Sequence, residues 1–375
     1  MNTIYFDNSA TTKIQSEVLN EMMPYLTNNY GNASSLYSIG RQSKRAIENA
    51  RKQVAELINC DPHEIYFTGG GSESDNLAIK GFAYANKNKG NHIITSKIEH
   101  HAILESCEWL QKQGFEVSYI NVNKDGFIDL QELENSIKPS TILISIMFAN
   151  NEIGTIQPIE KISEIAKKHQ ITLHTDAVQA AGNTPIDVRK MGIDMLSMSG
   201  HKINAPKGIG VLYVKKDIEI EKIIHGGHQE KDKRAGTENV AGIVGMGKAC
   251  EIANKNLENH MKSLKRLRDY YISRLKKEIP DKININGTME NRLPGNANIS
   301  FEGLDASELI FKLDEKGICI SSGSACSSGS REPSHVLRAI GLPDKYLNCA
   351  VRTTFGENNT FEEIDYLVKT LKRFY

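Results

Sequence analysis

Between Glu64 and Val214 the sequence alternates short β-rich runs with stretches whose apolar positions recur at helical spacing. Ile65–Phe67, His92–Ile94, Val117–Ile120, Ile142–Ile146, Ile171–His174 and Ile209–Val214 read as strands. Between them, 72–86, 102–113 and 159–168 carry the helical period. Strand and helix in alternation imply a largely parallel sheet covered by helices, an α/β architecture. Ligands of such sheets sit beyond the carboxyl ends of the strands, so the residues just after each strand are where chemistry is to be sought.

A long helical stretch from Val240 to Lys277 leads out of this region. Its later part is basic on one face and apolar at Leu264, Leu267, Tyr271 and Leu275, the pattern of an amphipathic helix packed on the body. A smaller α+β unit follows, with strands near 283–286, 297–301 and 318–321 and helices at 306–315 and 361–374. A length of 375 residues suits two domains, and 39% hydrophobic residues suffice for a sizeable core. Forty-six basic residues balance forty-six acidic ones, so no global field favours nucleic acid or an anionic membrane. No apolar run approaches the roughly 20 residues that cross a bilayer, and the first residues show no basic start followed by an apolar run. The expected compartment is the cytoplasm. The six cysteines form no Cys-x-x-Cys pair, which argues against a disulfide scaffold or a structural zinc site.

Several strand ends carry residues of chemical interest. Gly69-Gly70-Gly71-Ser72 follows a strand and opens a helix, which is either a capped glycine turn or an anion cradle of backbone N–H groups. Asp176 could cap a helix, hold a metal or pair with a cationic heterocycle, and Gln179 lies one helical turn beyond it. Lys202, flanked by Ser199 and His201, could form a Schiff base with an aldehyde cofactor. A pyridine-ring cofactor bearing a phosphate needs an anion cradle, a lysine, a carboxylate against the ring nitrogen and a stacking plane. Ser72, Lys202 and Asp176 supply three, and His100 could supply the fourth. His101 beside it reads as structural, because adjacent residues point apart. The stretch 321–330 is serine and glycine apart from Ala325 and Cys326, and reads either as a flexible linker or as a tether for a working thiol. Arg352, on the run 349–353, would suit a carboxylate or an internal ion pair.

Six segments in order resemble the class I cysteine desulfurases, the NifS/IscS-like branch of the aspartate-aminotransferase-fold pyridoxal enzymes. They are Glu99-His100, Asn150 to Gly154, His174 to Ala177, Ser199 to Lys202, Arg234 to Asn239 and Ser321 to Cys326, and the likeness runs from Tyr5 to the final helix. The chain departs from the family's frequent choices at Ser9, Ala33 and Ser72, the last keeping a hydroxyl. The resemblance implies a large domain, 15–257, with a mostly parallel seven-stranded sheet, and a small domain of 1–14 and 258–375 that carries the Cys326 loop. It implies pyridoxal 5'-phosphate as cofactor, anchored by Lys202, with Asp176 on the pyridinium nitrogen and Asn151 and Gln179 on the phenolic oxygen. His100 would stack on the ring and take part in proton transfer. Gly71, Ser72, Ser199 and His201 would bind the phosphate, with Thr237 reaching the phosphate of the neighbouring subunit of a homodimer. Arg352 would grip the carboxylate of the substrate L-cysteine, and Asn32 would line the substrate pocket. The products would be L-alanine and a persulfide on Cys326, whose sulfur passes to an acceptor such as an iron–sulfur scaffold or a tRNA-thiolation enzyme. A selenocysteine lyase or aminotransferase of the same fold would leave the Cys326 tract without a task. A non-catalytic thiol scaffold or sensor would leave the lysine, aspartate and phosphate-cradle set unexplained.

Overall fold

The computed structural model describes residues 3–323 and 333–375. Cys326 therefore lies outside the described residues. The N-terminal strand β1 (Ile4–Tyr5) stands apart from the main sheet, which is built from β2 (Ile65–Thr68), β3 (His92–Ser96), β4 (Glu116–Ile120), β5 (Thr141–Ser145), β6 (Thr172–Asp176), β7 (Met195–Ser199) and β8 (Gly210–Val214). These seven strands lie in the order β2-β8-β7-β6-β5-β3-β4. Neighbours run parallel except at β8, which is antiparallel to both β2 and β7. The expected mostly parallel sheet is thus present, with strand ends shifted by a residue or two. Asp176, for instance, closes β6 instead of following it.

Burial on both faces explains why apolar residues occupy both sides of the strands. On one face Ile94, Ile144, Leu196 and Val211 join a core with Ile47, Val54 and Ile58 of the helix Ser38–Ile58. Their neighbours Ile93, Leu143, Met195 and Leu212 point the other way, against Leu77, Ile79, Phe82, Ile103 and Leu110. This is the period-two alternation of a strand, with both sides covered by helices. The helix opened by Gly71 runs as Gly71–Asn76, a π-helical turn at Leu77–Gly81, and Phe82–Ala85. Two helices, Ser16–Thr27 and Ser38–Ile58, precede the alternating region and lie outside its pattern.

The helix Val240–Glu278 is unbroken over 39 residues, about 58 Å at 1.5 Å per residue. Its first part gives Ile243, Met246, Ala249 and Cys250 to the sheet core. Its later part gives Leu264, Leu267, Tyr271 and Leu275 to a second core, as the amphipathic pattern predicts. That core also holds β9 (Ile283–Ile285), β10 (Asn296–Phe301), the helix Ala306–Asp314, β11 (Ile318–Cys319), β12 (Ala350–Thr354) and the helix Phe361–Lys372. β10 lies between β12 and β9 with both pairings antiparallel, and β1 runs parallel to β11. The N-terminal segment connects the two cores. Phe6 is buried in the second, and Thr12 N–H donates to the His201 carbonyl at 2.8 Å. Among the described residues no helix is long and apolar enough to cross a membrane.

Candidate active site

The strand order reverses between β3 and β5, the place where an open α/β sheet leaves a crevice beyond its carboxyl ends. His100 follows β3, Asn151 follows β5, Asp176 ends β6 and Ser199 ends β7. Asp176 is buried, and its Oδ1 accepts from Val178 N–H at 2.9 Å. Burial pushes its carboxyl up to about 6, opposed by the Val178 bond and by the charge of Lys202. Asp75, also buried, is pushed well above the usual carboxylate range, first by burial and then by the charge of Asp176. Burial and the charge of Asp176 both favour the protonated form of Asp75. Behind them His174 bonds Ser145 Oγ at 2.9 Å and Ser197 Oγ at 3.0 Å. Burial drives its imidazole down to about 3, so it stays neutral and makes no ion pair with Asp75 at 3.9 Å.

Lys202 ends the 3-10 turn that follows β7. Its Nζ donates to the carbonyl oxygens of Ala10, at 2.8 Å, and of Ser9. Gln179 Nε2 donates to the same Ser9 carbonyl at 3.0 Å, so the two side chains converge on the N-terminal segment. Gln179 gets there from a run of turns, not from the helical turn its spacing suggests. His201 Nδ1 lies 3.2 Å from Thr11 Oγ1, and burial with the adjacent Lys202 and Lys207 pushes it down to about 4. Ser9, Gln179 and Lys202 line a cleft of about 910 Å³ together with Thr354 and His260.

The glycine turn after β2 is held from one side. Glu73 accepts from Gly69 N–H at 2.9 Å and from Arg234 Nε at 2.8 Å. Gly70 takes the cap position, so Ser72 sits inside the first helical turn and is not the N-cap. At Gly71 a Cβ would stand 2.9 Å from Val178 Cγ2 and 3.3 Å from Ser199 Cβ. The bare helix start is therefore pressed against the Ser199 end of β7, with Val178 beside Asp176 next to it. Backbone N–H groups and hydroxyls at a helix start, a lysine, a buried carboxylate and a neutral imidazole form a donor set that fits pyridoxal phosphate.

His100 caps the helix His101–Lys112, its Nδ1 accepting from Ala102 N–H at 3.1 Å. Burial, then Lys202, His101 and His335, push it down to about 4, so the ring is neutral near pH 7. With Nδ1 occupied as an acceptor, the proton of that neutral ring sits on Nε2. Arg352, 1% exposed, donates from Nη1 to the Asn151 carbonyl at 3.0 Å and from Nη2 to Asp7 Oδ1 and Ser321 Oγ, both at 2.9 Å. Its Nε finds no hydrogen-bond partner among the described residues. The internal ion pair and the proximity to Asn151 are thus both present. Thr237 is exposed and lines a cavity of about 140 Å³ with Gly69, Gly208 and Arg234. Asn32 is exposed, its Oδ1 accepting from Ser34 N–H at 2.9 Å. Sequence reasoning gave no role to Asp7, the Ser9 carbonyl, Asp75 or Glu152. The single signal for Asp7 was a charge inside the otherwise uncharged run from Ile4 to Thr12.

The profile of the aminotransferase class-V family matches residues 4–367. The chain belongs to the aminotransferase class-V family. This class-V chain is 54% identical over 368 residues to the cysteine desulfurase IscS of Methanosarcina thermophila, covering 98% of this chain and 91% of that protein. It is 51% identical over 372 residues to the cysteine desulfurase IscS of Clostridium botulinum, covering 99% and 94%. Among solved structures, a NifS-like protein superposes with a TM-score of 0.94 at 37% identity, covering 99% of each chain. SspA in complex with cysteine superposes with a TM-score of 0.84 at 38% identity, over 96% of this chain and all of that one.

Proposed function

We propose that this class-V family member is a cysteine desulfurase that converts L-cysteine to L-alanine and holds the sulfur as a persulfide on Cys326. The observation that carries the reading is the convergence of Lys202, Asp176 and His100 at the carboxyl ends of the sheet, in a chain about half identical to cysteine desulfurases over nearly its whole length. Lys202 would hold pyridoxal phosphate, Asp176 would face its ring nitrogen, and Gly71, Ser72, Ser199 and His201 would take its phosphate. When bound, the cofactor supplies an electron sink at the substrate α-carbon.

The chain's own residues do the rest. Arg352 binds the substrate carboxylate through its guanidinium, and Asn151, whose carbonyl it already grips, lies beside it. Lys202, once its amine is released, takes the α-proton. Neutral His100 offers Nε2–H to the site, and it receives a proton only by giving up the Ala102 bond at Nδ1. The Cys326 thiolate attacks the substrate sulfur: the S–S bond forms, the C–S bond breaks, and the carbon fragment takes protons to leave as alanine. An iron–sulfur scaffold or tRNA-thiolation enzyme then accepts the sulfur.

A homodimer suits the same reading. Leu19, Met23 and Leu26 are exposed on one side of the helix Ser16–Thr27, whose Val18 and Met22 are buried, and Tyr30, Leu36 and Tyr37 extend that apolar surface. A second copy would cover it and bring Thr237 and Asn32 to the site. The division into 15–257 and 1–14 with 258–375, and a cytoplasmic location, belong to this proposal too.

The test is an absorbance spectrum before and after cysteine, with alanine and sulfide assayed together. The parent shows a cofactor band that changes with cysteine and yields alanine. Cys326→Ala keeps the band and loses alanine release. Normal alanine release by that variant would remove Cys326 from the mechanism, and a protein that cannot be loaded with pyridoxal phosphate would remove the enzyme reading.

A further inference from the structure

Glu152 lies in the Asn150 to Gly154 segment and has no part in the chemistry above, yet it is 1% exposed and its backbone is bonded on both sides. Its N–H donates to Asn150 Oδ1 at 2.9 Å, and its carbonyl accepts from Asn296 Nδ2 at 3.1 Å and Asn298 Nδ2 at 3.2 Å. The carboxyl faces the two points at which the chain enters and leaves the Cys326 segment. On the entry side is Gly323, at φ +65°, where a Cβ would stand 3.0 Å from Glu152 Oε2. On the exit side, Ser334 Oγ lies 2.6 Å from that same oxygen. The Ser334 hydroxyl also accepts from Val336 N–H at 3.1 Å and Leu337 N–H at 3.4 Å. A hydroxyl has one proton and two lone pairs, so with both acceptor positions used its proton goes to Glu152.

Further bonds fix both stems to residues of the site. Ser321 exchanges backbone hydrogen bonds with Arg352 and its Oγ donates to Asp7 at 2.8 Å. His335, next to Ser334, donates from Nε2 to the Glu99 carbonyl at 2.9 Å, and its ring lies 4.9 Å from that of His101. The stems are therefore referenced to Arg352 on one side and to the residue before His100 on the other. Glu152, next to Asn151, is bonded to the exit stem at Ser334 and lies close to the entry stem at Gly323.

We propose that Glu152 is a positioning residue for sulfur transfer: its buried carboxyl holds the exit stem of the Cys326 segment through Ser334, lies against the entry stem at Gly323, and so helps to set where the thiol is delivered. The inference rests on the desulfurase reading and adds a residue to it. Among the described residues the Glu152 carboxyl bonds Ser334, which is assigned to neither substrate nor cofactor, so its role is placed on the step that needs Cys326 and not on cysteine binding. Misplacing a reacting group by about 1 Å costs on the order of a hundredfold in rate.

The experiment compares Glu152→Ala, Glu152→Gln and Ser334→Ala with the parent holoenzyme. Glu152→Ala should keep the cofactor band, the spectral change with cysteine and the KM for cysteine, while kcat for alanine release falls roughly 10- to 100-fold. Glu152→Gln still presents an oxygen to Ser334 and should stay within roughly threefold of the parent. Ser334→Ala removes the same bond from the other side and substitutes if Glu152→Ala does not fold. Combined, the two alanine variants should lose no more than the worse of them alone. A parental kcat in Glu152→Ala, beside an inactive Cys326→Ala, would overturn the positioning role alone. So would a loss in which cofactor band and KM deteriorate in step with kcat. Undiminished alanine release by Cys326→Ala would instead overturn the desulfurase reading beneath it.

Discussion

At the scale of single residues, burial sets the protonation states on which the site depends. Glu99 is fully buried, accepts from Ser96 Oγ at 2.5 Å and from Met147 N–H at 3.0 Å, and burial still pushes it up to about 8. A carboxyl raised in the folded state binds its proton more tightly there than in the unfolded chain. Stability from this group is present at acid pH and declines as pH rises from about 4.5 to about 8. Glu99→Gln removes that slope. Its urea midpoint relative to the parent should therefore rise steadily between pH 5 and pH 8, and a constant difference would contradict the assignment. The histidines work in the opposite sense. His100, His174 and His201 are all pushed down by burial, so the unfolded chain takes up their protons first and acid destabilises the fold. Comparing the variant with the parent cancels that contribution.

At the scale of elements, the glycine turn and the Thr237 segment are held by ion pairs from distant helices. Arg51, on the helix Ser38–Ile58, donates from Nη1 and Nη2 to the two carboxylate oxygens of Glu230, each at 2.9 Å. Glu230 also accepts from Phe67 N–H on β2 at 2.9 Å and sits at φ 45°, in the left-handed region that non-glycine residues seldom adopt. Arg51 and Glu230 are both buried, so removing one partner leaves the other charge without compensation. Glu230→Ala should cost about 3–5 kcal/mol in urea unfolding. A loss under about 1 kcal/mol would show that water replaces the carboxylate at no cost. This tie joins the segment before Thr237 to the strand that leads into Gly69–Ser72, so weaker cofactor retention should accompany the loss of stability.

At the scale of the whole molecule, the exposed face of the helix Ser16–Thr27 and the loop after it carries the prediction. Leu36 is 89% exposed and Leu26 58%, more apolar surface than an isolated chain gains by showing to water. The parent should sediment as two chains. Leu26→Asp with Leu36→Asp should sediment as one, with weaker cofactor retention because Thr237 would no longer reach the neighbouring site. A variant that stays dimeric would move the interface elsewhere.

The alternation of β-rich runs and helical stretches was enough to specify a mostly parallel sheet, because strands covered on both faces are buried throughout and largely apolar, and β3, β5, β7 and β8 are buried at every position. It also marked the candidate residues. His100, Asp176, Ser199 and Lys202 stand out because each follows or closes such a run, and ligands gather beyond strand ends. Local pattern reached no further. It misread the surroundings of Gln179, since a spacing of three residues is equally compatible with consecutive turns. It gave no sign that Asp7 pairs with Arg352, 345 positions away, or that Glu152 accepts from Ser334, 182 positions away. The sequence determined which candidate residues stand at the strand ends, because that follows from periodicity within a few residues. The tertiary structure alone decided which of them share a buried space, because desolvation and hydrogen bonding depend on neighbours that only the folded chain brings together.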